Sequence, residues 1–156
     1  MATILGISEF DVNSHVVAAR SDIEDALCAR VLIIEDETII ALHIKPIVEN
    51  LGHEAIAIVR TRAEAVAKAR DERPELILAD ISLADGSSGI DAVKDILAEQ
   101  TVPVIFITAF PEMLLTGERP EPTYLITKPF EPATVIATIG QALLMHREID
   151  INSEAA

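Results

Sequence analysis

The 156-residue sequence has no tryptophan, one tyrosine, four phenylalanines and a single cysteine, and only twelve basic residues stand against twenty-six acidic ones. The shortage of bases leaves a formal net charge of −14. That excludes general electrostatic affinity for nucleic acid or an anionic membrane, since both are polyanions. Cys28 cannot close an internal disulfide and has no Cys or His at metal-ligand spacing. It reads as a small packing residue in a reducing compartment. No apolar run approaches the roughly 18 to 20 residues of a membrane span, and the longest, such as Val102–Ala109, are strand-sized. The opening MATILGISEFD lacks the basic start and small-residue cleavage site of a secretion signal. These absences predict a cytoplasmic protein with no membrane and no DNA partner. Hydrophobic residues make up 50% of the chain, which is ample for one core plus an appendage.

The apolar residues come in short runs. Val31–Ile34, Ala55–Val59, Leu76–Ala79, Val104–Thr108 and Tyr124–Thr127 read as strands, and the β-branched run Val31–Ile34 ends abruptly in Glu35-Asp36-Glu37, as a strand buried on both faces would. Segments of helical period lie between them: Ile40, Ile44, Ile47 and Leu51; Ala63–Ala69; Ile90, Val93 and Leu97; and Val135, Ile136, Ile139, Leu143 and Leu144. Five strand–helix alternations predict an α/β fold, a doubly wound five-stranded parallel sheet covered on both faces, of flavodoxin-like type. Pro46 should bend or divide the first helix, and Pro111, Pro120 and Pro122 confine any fourth helix to about 112–117. Ahead of the sheet, Val12, Val16, Ala19, Ile23 and Leu27 recur on one helical face. The expected organisation is an N-terminal helical extension over 1–29, the α/β domain over 30–149 and a flexible tail over 150–156.

In doubly wound sheets ligands bind beyond the carboxyl ends of the strands. Glu35 and Asp36 follow the first strand, Asp80 the third and Lys128 the fifth, and Thr108 ends the fourth. Three carboxylates at one edge repel each other unless a cation joins them, and hard oxygen donors suit Mg²⁺. A metal, the Lys128 ammonium and the Thr108 hydroxyl around Asp80 describe a phosphoryl site with Asp80 as nucleophile. Singly, each residue is an ordinary helix start, strand-end cap or surface cation; convergence of four strand ends is what carries the reading. A Mg²⁺-dependent phosphohydrolase on a similar fold would need a second acid two residues after the nucleophile, where Ser82 stands. A flavin module would need a Ser/Thr/Gly-rich phosphate loop where Glu35-Asp36-Glu37 stands.

The motifs IIEDE, LADI, FITAF and ITKPF, in this order and spacing, resemble the receiver domain of two-component response regulators, a likeness that covers 29–148. The resemblance implies that Asp80 is the phosphoacceptor, and that Glu35, Asp36, Asp80 and the Ser82 backbone carbonyl hold Mg²⁺. It implies that Thr108 and Lys128 contact the phosphoryl oxygens beside a small Ala109, and that the donor is a sensor histidine kinase. Departures concern output. Ala84 replaces a common proline, and the loop Asp85-Gly86-Ser87-Ser88-Gly89 is long. Leu125 takes the place of the usual aromatic switch, with Tyr124 beside it, and Phe110 either shields the phosphoryl group or packs as core.

LADISLADGSSGIDAV and VIFITAFPEMLLTGERPEPTYLITKPF are most similar to the receiver of PhyR-type general stress response regulators. ILGISEFDVNSHVVAAR resembles the end of a sigma-type helix-turn-helix, with Glu9, Asp11, Asn13 and His15 where a DNA-reading helix carries bases. An ordinary amphipathic helix extending the receiver is the alternative. The likeness implies a partner switch in which a phosphorylated receiver frees a sigma-like domain to capture an anti-sigma factor. Val12, Val16, Ile23 and Leu27 leave both a homodimer and folding back onto the receiver open.

Overall fold

A computed structural model of the chain describes residues 28–114 and 123–155. The expected helical extension, apart from its last two residues, and the segment 115–122 lie outside the described residues. In chain order the elements are β1 (Arg30–Ile34), α1 (Thr38–Asn50), β2 (Glu54–Val59), α2 (Arg62–Glu72), β3 (Leu76–Ala79), α3 (Gly89–Leu97), β4 (Val104–Thr108), a 3₁₀ turn (Pro111–Leu114), β5 (Thr123–Thr127) and α4 (Pro132–Ala155). The strands form one five-stranded sheet in the order β2-β1-β3-β4-β5, every pairing parallel.

Successive strand residues face opposite sides of a sheet, and here both sides are covered. Leu32, Ile34, Ile77, Ala79, Val104 and Phe106 pack with Ala65 and Ala69 of α2 and Ala92, Val93 and Ile96 of α3. Val31, Ile33, Leu76, Leu78, Ile105 and Ile107 pack with Ile44, Ile47 and Val48 of α1 and Val135, Ile139 and Ala142 of α4. Burial on both faces is why β1, β3 and β4 are unbroken apolar runs instead of alternating ones. The outer strand β2 is partly exposed from Glu54 to Ile58, and Val59 at its end is buried. Its register with β1 shifts between Val31 and Leu32, which pair with Ala55 and Ala57, leaving Ile56 as a bulge residue.

Three expectations change in detail. α1 runs undivided through Pro46. The lost hydrogen bond and ring clash cost about 3 kcal/mol, but Ile44, Ile47 and Val48 on either side are buried, at about 1.5–3 kcal/mol for each aliphatic chain. Of the stretch 112–117 expected to confine any fourth helix, 115–117 lie outside the described residues, and the described part belongs to a 3₁₀ turn that starts at Pro111, whose fixed φ favours a helix start. Finally, α4 continues to Ala155, into the residues assigned to a tail, because no glycine or proline follows Gly140 to stop it.

The chain winds one way from β1 to β2 and the other from β1 to β3, so the crevice for a ligand opens where these two strands adjoin. Ile34 pairs with Ala79, and Thr108 pairs with Thr127. Register alone therefore brings the residues that follow β1 and β3 side by side, and places Lys128 next to the end of β4.

Candidate functional site

Asp80 leaves β3 with its amide donating to the Ile34 carbonyl at 2.8 Å, which ties it to the end of β1. Its carboxylate is held at both oxygens. Oδ1 accepts the Ile81 amide at 2.7 Å, and Oδ2 accepts the Lys128 ammonium at 3.0 Å. Lys128 is placed by its own amide, which donates to the Thr108 carbonyl at 2.8 Å, and the Lys128–Pro129 peptide that follows is cis. The same ammonium donates to Glu35 Oε2 at 2.9 Å and lies 3.9 Å from Glu37 Oε1. Glu35 Oε1 accepts the Glu37 amide at 3.1 Å at the entrance to α1.

Glu35, Asp80 and Thr108 are the buried polar residues of the described core, at 2%, 5% and 0% exposure. Burial pushes the Glu35 carboxyl up to about 7; the negative charge of Asp80 adds to this, while hydrogen bonds from Lys128 and the Glu37 amide pull against it. Burial would lower Lys128, but its hydrogen bonds to Glu35 and Asp80 outweigh that and hold its ammonium above the ordinary lysine value. One cation thus serves two buried acids, with Asp36 half-buried and Glu37 exposed beside them. One oxygen from each of Glu35, Asp36, Glu37 and Asp80 lies within 4.8 Å of the others. The donor set is all hard oxygen and carries more negative charge than Lys128 offsets, which fits a divalent cation of the Mg²⁺ kind.

The fold therefore gathers Glu35, Asp36, Asp80 and Lys128 at one edge, with Thr108 at the end of the adjoining strand. Thr108 Oγ1 accepts the Phe110 amide at 3.0 Å. Ala109 is exposed, and Phe110 is 47% exposed, so the reading of Phe110 as core does not hold. Tyr124 packs partly buried against the core under α1 and α4, and Leu125 points to the opposite face, 39% exposed. Ser82 and Ser88 form an isolated antiparallel bridge that closes the loop after Asp80, with Ala84 exposed in it. Two residues were missed by sequence reasoning. Glu37 is the third acid of a visible run and was legible; Gly89 reveals itself only through its contact with the Asp80 peptide.

The family model described as the response regulator receiver domain matches residues 31–140. PhyR, the phyllosphere-induced regulator of Methylorubrum extorquens, is 53% identical over 145 residues, which are 92% of this chain and 54% of that protein. The chain thus spans about half the length of that curated relative. The solution NMR structure of the PhyR receiver (REC) domain from Erythrobacter litoralis is 58% identical with a TM-score of 0.71, covering 75% of this chain and 91% of that one. The co-crystal structure of the anti-anti-sigma factor PhyR with the anti-sigma factor NepR from Bartonella quintana is 55% identical with a TM-score of 0.63, covering 90% of this chain and 58% of that one.

Proposed function

Because this chain belongs to the response regulator receiver domain family, we propose that Asp80 accepts a phosphoryl group from a phosphohistidine of a sensor histidine kinase. The observation that carries the reading is Lys128, an ammonium just after β5 hydrogen-bonded at once to the acids that follow β1 and β3. Glu35, Asp36 and Asp80, with the backbone carbonyl of Ser82, would hold Mg²⁺, and the exposed Glu37 lies within reach of the same pocket. Bound there, Mg²⁺ would neutralise the phosphoryl oxygens and allow a carboxylate to approach them.

The chain's own groups do the rest. Asp80 Oδ2, released from Lys128, attacks phosphorus; an O–P bond forms, the P–N bond breaks, and its electron pair returns to the imidazole nitrogen. Lys128 follows the charge onto the phosphoryl oxygens. Thr108 keeps accepting the Phe110 amide while its hydroxyl proton turns to the same group, since a hydroxyl donates and accepts together. Ala109 leaves room, and the exposed Phe110 would shield the phosphoryl group, with Leu125 standing where the usual aromatic switch would be. No second acid stands at Ser82 to drive hydrolysis, so the adduct is lost slowly and the protein signals instead of turning over substrate.

PhyR relatives include an anti-anti-sigma factor solved with its anti-sigma factor. By that likeness the receiver governs capture of an anti-sigma factor by a sigma-like domain in the general stress response. A cytoplasmic setting keeps its lone thiol reduced.

Incubation with a small phosphodonor and Mg²⁺ is expected to give one base-labile adduct by mass spectrometry. It should be absent from Asp80→Ala and absent when the metal is chelated. Labelling of the D80A protein at another residue would remove the assignment.

A further inference from the structure

We propose that Gly89 is a positioning residue for the phosphoacceptor: having no side chain, it lets the first turn of α3 rest on the Asp80–Ile81 peptide and so fixes the Asp80 carboxylate and the Ser82 carbonyl. This rests on the reading of Asp80 and Ser82 given above. A β-carbon at Gly89 would lie 1.7 Å from the Asp80 carbonyl oxygen, 2.8 Å from its carbon and 3.3 Å from Ile81 Cα. These are backbone atoms at the end of a central strand, so neither partner can swing aside as a flexible side chain would. Either α3 or the peptide carrying the phosphoacceptor must move.

The contact is also a hydrogen-bonded link. Gly89 donates its amide to the Ile81 carbonyl at 2.7 Å, and Ile81 donates its own amide to Asp80 Oδ1 at 2.7 Å. One residue thus connects the helix to the carboxylate, with Ile81 and Leu83 buried beneath it. Ser88 Oγ accepts the Ile90 amide at 3.1 Å, which caps α3 where it meets the link. The loop 81–88 is clamped at both ends, and the Ser82 carbonyl is carried between the clamps. Gly86, in the same loop, has a different reason to be glycine: its φ is +79° and nothing lies within 4 Å of a β-carbon there. A metal site of this kind needs its donors held to about 0.5 Å, far less than a clash at 1.7 Å would displace them.

The test is a Mg²⁺ titration of the full chain followed by amide NMR for the parent, Gly89→Ala and Gly86→Ala. The G89A protein is expected to keep its circular dichroism spectrum and lose about tenfold or more in Mg²⁺ affinity, as groups that orient metal ligands do. G86A should stay within about twofold. Parent-like affinity in G89A, or an equal loss in G86A, overturns the proposal. Failure of the parent itself to bind Mg²⁺ would instead bring down the phosphoacceptor reading, and this inference with it. Should G89A not fold, the parent decides: the Gly89 amide moving along the same saturation curve as Ile81 supports the link, and a stationary Gly89 beside a moving Ile81 overturns it.

Discussion

Lys128 carries the electrostatics of the site. Its ammonium meets Glu35 at 2.9 Å and Asp80 at 3.0 Å, all three side chains being nearly enclosed. Removing one member of a buried pair strands the other charge, which typically costs 3–5 kcal/mol. Lys128→Ala leaves two acids without their cation. Because burial already lifts Glu35 to about 7, that acid can take up a proton and relieve part of the penalty. The expected loss is therefore about 3 kcal/mol in metal-free urea unfolding at pH 7.5, with part of it recovered when Mg²⁺ is added. A K128A protein as stable as its parent without metal would show that the ammonium does not offset the buried acids.

Among the elements, the start of β1 is tied to the start of β2 by a bond that depends on protonation. Ala29 donates its amide to His53 Nδ1 at 3.1 Å. Burial lowers the His53 pKa, and the charge of Glu75 opposes this only in part. A histidine depressed in the folded state binds fewer protons there than in the unfolded chain. Its contribution is therefore complete above the unfolded value of about 6.5 and is lost as pH falls below it toward the folded value. Relative to the parent, His53→Gln, which can still offer an oxygen to Ala29 but does not titrate, should lose less stability between pH 7.5 and 5.5. Equal losses, read from urea midpoints, would place the acid sensitivity elsewhere. The same elements show what a sequence can convey. β3 and β4 were legible to the residue because both their faces are buried and their ends are marked by Asp80 and Thr108. β2 begins one residue earlier than its apolar run because the exposed Glu54 pairs with Arg30 by backbone alone. The undivided path of α1 through Pro46 is not written in local residue type, because it depends on packing against the sheet; the reach of α4 to Ala155 is legible only as the lack of a glycine or proline after Gly140.

For the whole molecule, the net charge of −14 opposes compaction, since like charges gathered by folding repel. The repulsion is uneven. Glu35, Asp36, Glu37 and Asp80 share one pocket, whereas Arg62 and Arg70 on α2 already meet Asp95 on α3 and Glu99 just after it. The pocket was readable from the sequence because each acid follows a strand and the carboxyl ends of parallel strands share one edge of a doubly wound sheet; the Gly89 contact was not, because two peptides nine residues apart meet only in the fold. Two remedies for the repulsion can be separated. Added salt screens exposed charge over a Debye length of about 10 Å at 0.1 M and acts on the whole surface. A divalent cation bound only by the folded pocket adds stability by mass action, about 2.7 kcal/mol at 100 times its Kd. MgCl₂ should therefore raise the melting temperature well above NaCl of equal ionic strength, and Asp36→Asn, which removes a proposed ligand at the half-buried edge of the pocket, should reduce the difference while keeping the NaCl response. Equal shifts from the two salts would mean that screening alone acts, and that the four acids hold no ion in common.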